Sequence, residues 1–132
     1  MLKSSQSKFK SRPFLVMIIA AIISLVPLIS QAECSSEEVG YVATFDVKPD
    51  SEAAFEAAIT KLADKVMQVE SGVIMYAPYK GAGSKYYMLE RYKDTAARQS
   101  HATSDEVRAL FGPLMATLAA PADIQPISAI CS

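Results

Sequence analysis

Residues 86–118 read YYMLERYKDTAARQSHATSDEVRALFGPLMATL. The segment opens with an alternating strand pattern over Lys85 to Lys93, in which Tyr86, Met88 and Tyr92 project one way and Tyr87 and Leu89 the other. Asp94 is placed to cap a short helix that runs to about His101, the chain's single histidine. Ser104-Asp105 can start another helix holding Val107, Leu110, Phe111, Leu114 and Leu118, which Pro113 should kink or divide. An imidazole seven residues past a helix cap, just downstream of a tyrosine-lined strand, is the first group to suspect of chemistry near neutral pH.

Upstream, Gly81-Ala82-Gly83-Ser84 reads as a hairpin connection to an earlier strand, Val73 to Lys80. A phosphate loop is a poorer reading of this glycine pair, because it joins two strands and lacks the full spacing. Before Gly72, Phe55, Ala58, Ile59, Leu62, Val66 and Val69 recur at helical spacing between Glu52 and Val69. Pro49-Asp50-Ser51 stops a first strand, Val39 to Val47, and caps this helix. Downstream, Ile124 to Ile130 suits a last strand, and Pro126 confines it to an edge or a bulge. The order β-α-β-β-α-β is the split βαβ arrangement of an α+β, ferredoxin-like fold with an antiparallel sheet.

Both faces of that sheet carry apolar and aromatic side chains. The second strand offers Val73, Met75 and Tyr79 opposite Ile74 and Tyr76. Helices can cover one face only, so the other asks for a partner, most economically a second copy packed sheet against sheet.

The first 32 residues have the layout of a secretory signal: a basic start with Lys3, Lys8, Lys10 and Arg12, an apolar run from Phe14 to Ile29, and Ser30-Gln31-Ala32 as a cleavage site. An uncleaved anchor is the alternative, but the run is short for a span and a cut site follows it at once. Glu33 before Cys34 speaks against a lipoprotein. The expected organisation is a signal peptide over 1–32 and one small domain over 33–132, exported to a periplasm or the outside, with membrane contact only through the signal. That domain carries nine basic residues against fourteen acidic ones, a net charge of −5, so a nucleic-acid partner is not indicated. Export makes the two cysteines, Cys34 and Cys131, read as an intramolecular disulfide joining the outer ends of the first and last strands. An intersubunit bridge is the alternative. Two cysteines and one distant histidine make a poor metal set.

The strand end Val47-Lys48-Pro49, the turn Glu70-Ser71-Gly72, Leu89-Glu90-Arg91-Tyr92, and Asp94-Thr95-Ala96-Ala97 leading to His101 together resemble the antibiotic biosynthesis monooxygenase domain, over about Val39 to Ile130. The resemblance implies a dimeric α+β barrel. It also implies kinship with oxygenases that act on phenols, anthrones and quinols without metal, flavin or haem. Such chemistry needs a base, a dry pocket and donors for a developing oxyanion. His101 is the base candidate, sharing a helix face with Ala97, whose small side chain would leave room for a ligand. Tyr76, Tyr79, Tyr86, Tyr87 and Tyr92 are candidates for stacking or phenolic hydrogen bonds. Phe45, Met75, Met88, Leu110, Phe111 and Met115 are candidate pocket walls. Set against these roles, a lone histidine near a helix end is more often structural, and tyrosines or methionines at period-two spacing are more often core or interface. Glu90 and Arg91 point to opposite faces, which makes Glu90 a partner for some cation rather than a base. The haem-degrading members of the family place their iron-binding histidine near the position of Phe111 here, so haem ligation lacks its residue.

The resulting expectation is an exported, cofactor-independent monooxygenase acting on a small phenolic or quinol-like molecule. A non-catalytic ligand-binding or stress-associated dimer, or a domain whose pocket its own side chains fill, are the competing expectations. An enclosed cavity with His101 and a tyrosine hydroxyl turned inward separates the first from the others.

Overall fold

The computed structural model describes residues 35–130. The leader expected over 1–32 and both cysteines, Cys34 and Cys131, lie outside them. The elements are β1 (Val39–Asp46), α1 (Glu52–Val69), β2 (Val73–Lys80), β3 (Lys85–Tyr92), α2 (Thr95–Thr103), α3 (Asp105–Arg108), α4 (Phe111–Ala116) and β4 (Asp123–Ile127). All strand pairs are antiparallel and the sheet order is β2-β3-β1-β4, an α+β ferredoxin-like fold. Among the described residues no helix is long and apolar enough to cross a membrane.

Register decides which side chains reach the helices. Ala43 pairs with Met88, Phe45 with Tyr86, and Tyr76 with Glu90, so these residues share one face of the sheet. Against that face α1 lays Phe55, Ile59, Leu62, Ala63 and Val66, all at most 6% exposed. Each such side chain contributes roughly 1.5–3 kcal/mol of burial. Val69, expected on the same stripe, is the last residue of the helix and is 41% exposed. Val107, Leu114 and Leu118 close the core from the far side.

Three local expectations are corrected. A bulge between Val73 and Met75 puts Val73 against the core, on the side of Tyr76, and Met75 on the opposite side with Arg91. Strict alternation had joined Val73 to Met75, and one extra residue reverses the phase. The helical break falls at Ala109 and Leu110 rather than at Pro113 itself. A proline cannot donate to the carbonyl four residues back, here Ala109, and its ring crowds that group. Pro113 therefore sits in the first turn of α4, where its missing N–H costs nothing. Ser51 occupies the N-cap of α1, but its hydroxyl makes no capping bond. The start of α1 is instead tied to the hairpin, where the Ser84 hydroxyl donates to Glu52 Oε1 over 2.5 Å.

The hairpin turns at Gly83, whose φ of 61° lies in the left-handed region where glycine has no steric cost. β4 runs along the sheet edge beside β1, with Pro126 opposite Tyr41, and ends at Ile127 rather than Ile130. The sheet face away from the helices carries Val42, Met75, Tyr79, Tyr87, Leu89 and Ile127. None of these is fully buried, and no helix among the described residues covers them.

Candidate functional site

The site begins with the start of α2. Asp94 is extended (φ −164°, ψ 174°) and its Oδ1 accepts the Ala97 N–H over 2.7 Å. That cap sets a helical register in which Arg98, His101 and Ala102, spaced i, i+3 and i+4, face the same hollow. Ala97 has a different role from the one expected. A Cβ built on Gly72 would lie 2.5 Å from the Ala97 methyl. The small pair Gly72 and Ala97 thus lets α2 close onto the α1–β2 connection, and Ala97 borders an outer hollow of about 480 Å³ there rather than the cavity of His101.

This close approach brings Glu70 to His101. Glu70 ends α1, its backbone N–H donating to the Val66 carbonyl over 3.0 Å. The His101 Nδ1 stands 2.9 Å from Glu70 Oε2, with the two side chains 6% and 11% exposed. A carboxylate accepts, so Nδ1 is the donor of this contact and Nε2 is the ring nitrogen left free of Glu70. Glu70 Oε1 is buried and has no hydrogen-bond partner among the described residues. The imidazole is held between two tyrosine rings, Tyr76 at 5.1 Å and Tyr92 at 5.4 Å.

Both phenols are pushed above the ordinary tyrosine range, chiefly by burial and next by the negative charge of Glu90. Both therefore stay protonated at neutral pH. The Tyr92 hydroxyl donates to Glu90 Oε2 over 2.7 Å. Glu90 is thus buried on the helix side and bound to a tyrosine rather than to the cation expected for it. Arg91, on the other face, forks onto the Glu38 carboxylate, with Nη2 to Oε2 at 2.8 Å.

His101, Tyr76 and Glu90 border a cavity of about 370 Å³. Of the side chains singled out from sequence, it brings together His101, Tyr76, Phe45, Phe111 and Met115. Tyr92 lies directly behind His101 without lining the cavity. Met88 is 0% exposed in the core. Tyr86 is turned away, its ring 4.6 Å from Phe55 and its hydroxyl 2.6 Å from Glu56 Oε1. Leu110 packs on the core, while Met75, Tyr79 and Tyr87 belong to the open sheet face. Glu70 and Arg98 escaped the sequence reading. Glu70 sits 31 residues from its partner, and Arg98 on a short helix looks like any solvated cation. Its i, i+3 spacing to His101 was the one available signal.

A larger hollow of about 630 Å³ runs along the outer side of α1, but it offers only solvated side chains such as Lys61, Asp64 and Lys65. Among the described residues no group of three His, Cys, Asp or Glu side chains converges to hold a metal ion.

The cavity with the buried imidazole on its wall thus lies between helices and sheet in a domain of α+β ferredoxin-like fold. The antibiotic biosynthesis monooxygenase family model matches residues 39–112, and the chain belongs to that family. Among solved structures, it is 29% identical to a Caulobacter crescentus CB15 protein provisionally named an antibiotic biosynthesis monooxygenase, with a TM-score of 0.68 over 72% of this chain and 92% of that one. A conserved protein from Methanosarcina mazei Go1 is 25% identical, with a TM-score of 0.65 over 70% and 93%. Rv0793 from Mycobacterium tuberculosis, 22% identical at a TM-score of 0.65 over 72% and 97%, shares the fold. No curated protein matches the chain at a significant level.

Proposed function

We propose that this chain is a cofactor-independent monooxygenase for a small phenolic or quinol-like molecule. The observation that carries the reading is the His101–Glu70 pair, buried at the wall of a mostly apolar cavity that also holds the Tyr76 ring. His101 takes a proton from the substrate, and Glu70 orients the ring and steadies the imidazolium that forms. The resulting phenolate or enolate passes an electron to oxygen, and the pair recombines as a peroxide on a ring carbon. His101 returns its proton as the O–O bond breaks. One oxygen atom stays on carbon as a carbonyl, and the other leaves as water with the proton His101 returns and the hydrogen lost from that carbon. The substrate supplies all four electrons that reduce the two oxygen atoms, so the balance needs no further reductant.

A non-catalytic binding dimer of the same fold is the competing reading, favoured by the apolar character of most of the wall. Oxygen uptake by the metal-stripped protein against hydroquinones and anthrones tests the choice. Uptake that depends on the protein and falls at least tenfold in His101→Ala supports the oxygenase. Uptake at the spontaneous rate across the panel sinks it.

Export and assembly complete the proposal. The segment 1–32 acts as a cleaved signal, which a mature N-terminus other than Glu33 would refute. Cys34 and Cys131 form a bridge within the exported chain, an arrangement supported by the antiparallel pairing of β1 with β4. Intact mass with and without reductant reads it as a loss of two hydrogens in a monomeric chain. The open sheet face pairs two copies of the chain.

A further inference from the structure

Arg98 is the one cation on the cavity wall among the described residues, and the mechanism above leaves it without a task. It precedes His101 by one turn of α2, and both line the same cavity. Its guanidinium carbon lies 4.8 Å from the centre of the Tyr41 ring and 5.7 Å from that of Tyr92. Its Nε is buried and meets no acceptor among the described residues. Among the described residues no carboxylate reaches ion-pairing distance of it.

Arg98 as a whole is half-buried, and a guanidinium partly withdrawn from water is ordinarily matched by a carboxylate, because desolvated charge is costly unless paired. Here two aromatic faces hold the plane in position, and ring quadrupoles attract the cation without neutralising it. The two carboxylates of this region each hold another partner through Oε2, and neither makes an ion pair with Arg98. Glu90, on the cavity wall, receives the Tyr92 hydroxyl, and Glu70, behind His101, receives the imidazole N–H. Arg98 thus presents positive charge and unused N–H groups at a cavity that otherwise offers the Tyr76 ring, His101, Glu90 and apolar side chains. Its field also works against the upward push on the Tyr76 and Tyr92 phenols.

We propose that Arg98 is an oxyanion-binding group, and that the cavity selects aromatic molecules carrying a negatively charged oxygen, whether a carboxylate substituent or a phenolate. The assignment rests on the reading of the cavity as an aromatic-binding site, but not on turnover. It makes Arg98 the residue that sets substrate class: neutral aromatic rings bind by apolar contact alone, and anionic ones gain a charge-assisted hydrogen bond in a partly dry site.

Binding of three probes, 2-naphthol, 2-naphthoate and 2-methoxynaphthalene, tests this by calorimetry on the wild type, Arg98→Met and Arg98→Lys. Arg98→Met keeps much of the side chain's apolar bulk. We expect it to weaken 2-naphthoate or 2-naphthol at least tenfold while leaving 2-methoxynaphthalene within twofold, and Arg98→Lys to recover part of the loss. An effect on 2-naphthoate alone assigns a carboxylate-bearing ligand, and one on 2-naphthol alone a bound phenolate. Equal weakening of all three, or of none, overturns the role of Arg98 while leaving the cavity intact. If the wild type binds none of the three, the cavity reading fails and this proposal fails with it.

Discussion

His101 Nδ1 and Glu70 Oε2 stand 2.9 Å apart in a buried contact that joins α2 to the end of α1 across 31 residues of sequence. A carboxylate on one ring nitrogen fixes which tautomer the other nitrogen presents. Replacing His101 by Ala should lower oxygenase turnover by about 10²–10⁴, the usual worth of a general base. Glu70→Gln should cost less, about 10–100-fold, because its amide can satisfy either ring nitrogen and no longer enforces one tautomer. Steady-state oxygen uptake, with circular dichroism to confirm folding, separates the two. Equal and full activity in both variants would remove the pair from the mechanism.

Acid should loosen the first strand. The Arg91 guanidinium forked onto Glu38 holds that carboxyl below its ordinary range. A group whose folded pKa is depressed adds stability above its unfolded pKa, about 4.3, and loses it as pH falls through the folded value. Urea unfolding should therefore find Glu38→Gln less stable than wild type at pH 7. The gap should close as pH falls below about 4.3. A gap that stays constant down to pH 3 would mean the ion pair contributes nothing.

The contact between Gly72 and Ala97 makes a second stability test. Gly72→Ala must push two methyl groups apart from 2.5 Å, at a cost of about 1–3 kcal/mol. Adding Ala97→Gly restores the space at the helix-propensity cost of roughly 0.5–1 kcal/mol. The double variant should melt higher than Gly72→Ala alone. If the two changes prove additive, α2 does not close on the turn as described.

Phe55 lies where the core is densest, 0% exposed with ring centres of Phe45 and Tyr86 at 5.4 and 4.6 Å. Phe55→Ala should destabilise by about 3–5 kcal/mol. Met67→Ala, on the exposed side of the same helix, should stay within about 0.5 kcal/mol. Chemical denaturation reads both, and similar losses would misplace the buried stripe of α1.

Assembly through the open sheet face predicts that Leu89→Lys raises the dimer dissociation constant at least 100-fold. Leu89 lies mid-strand opposite Val42 and Ala77, so a charge there meets its own copy across a two-fold axis. Sedimentation velocity gives the result. A wild type that is monomeric at micromolar concentration would leave this face without the proposed occupant.

The amino-acid sequence by itself determined what depends on neighbours along the chain. Alternation placed three strands, helical spacing set α1 at Glu52–Val69, and Asp94 was legible as the cap whose Oδ1 accepts the Ala97 N–H. Pro126 marked an edge strand. The candidate site was legible only in part. His101, Tyr76, Phe45 and Phe111 could be named, but Tyr86 and Met88 share a strand face with Glu90 and still miss the cavity, because their position along the strand puts them beneath α1. A bulge near Ile74 shifted one strand's phase with no residue type to announce it. Tertiary structure alone decided that Glu70 meets His101 and that Arg98 lies over tyrosine rings from two strands. Periodicity encodes which face a side chain takes, whereas a contact across 31 residues depends on how closely two backbones approach, and here a glycine set against an alanine allows it.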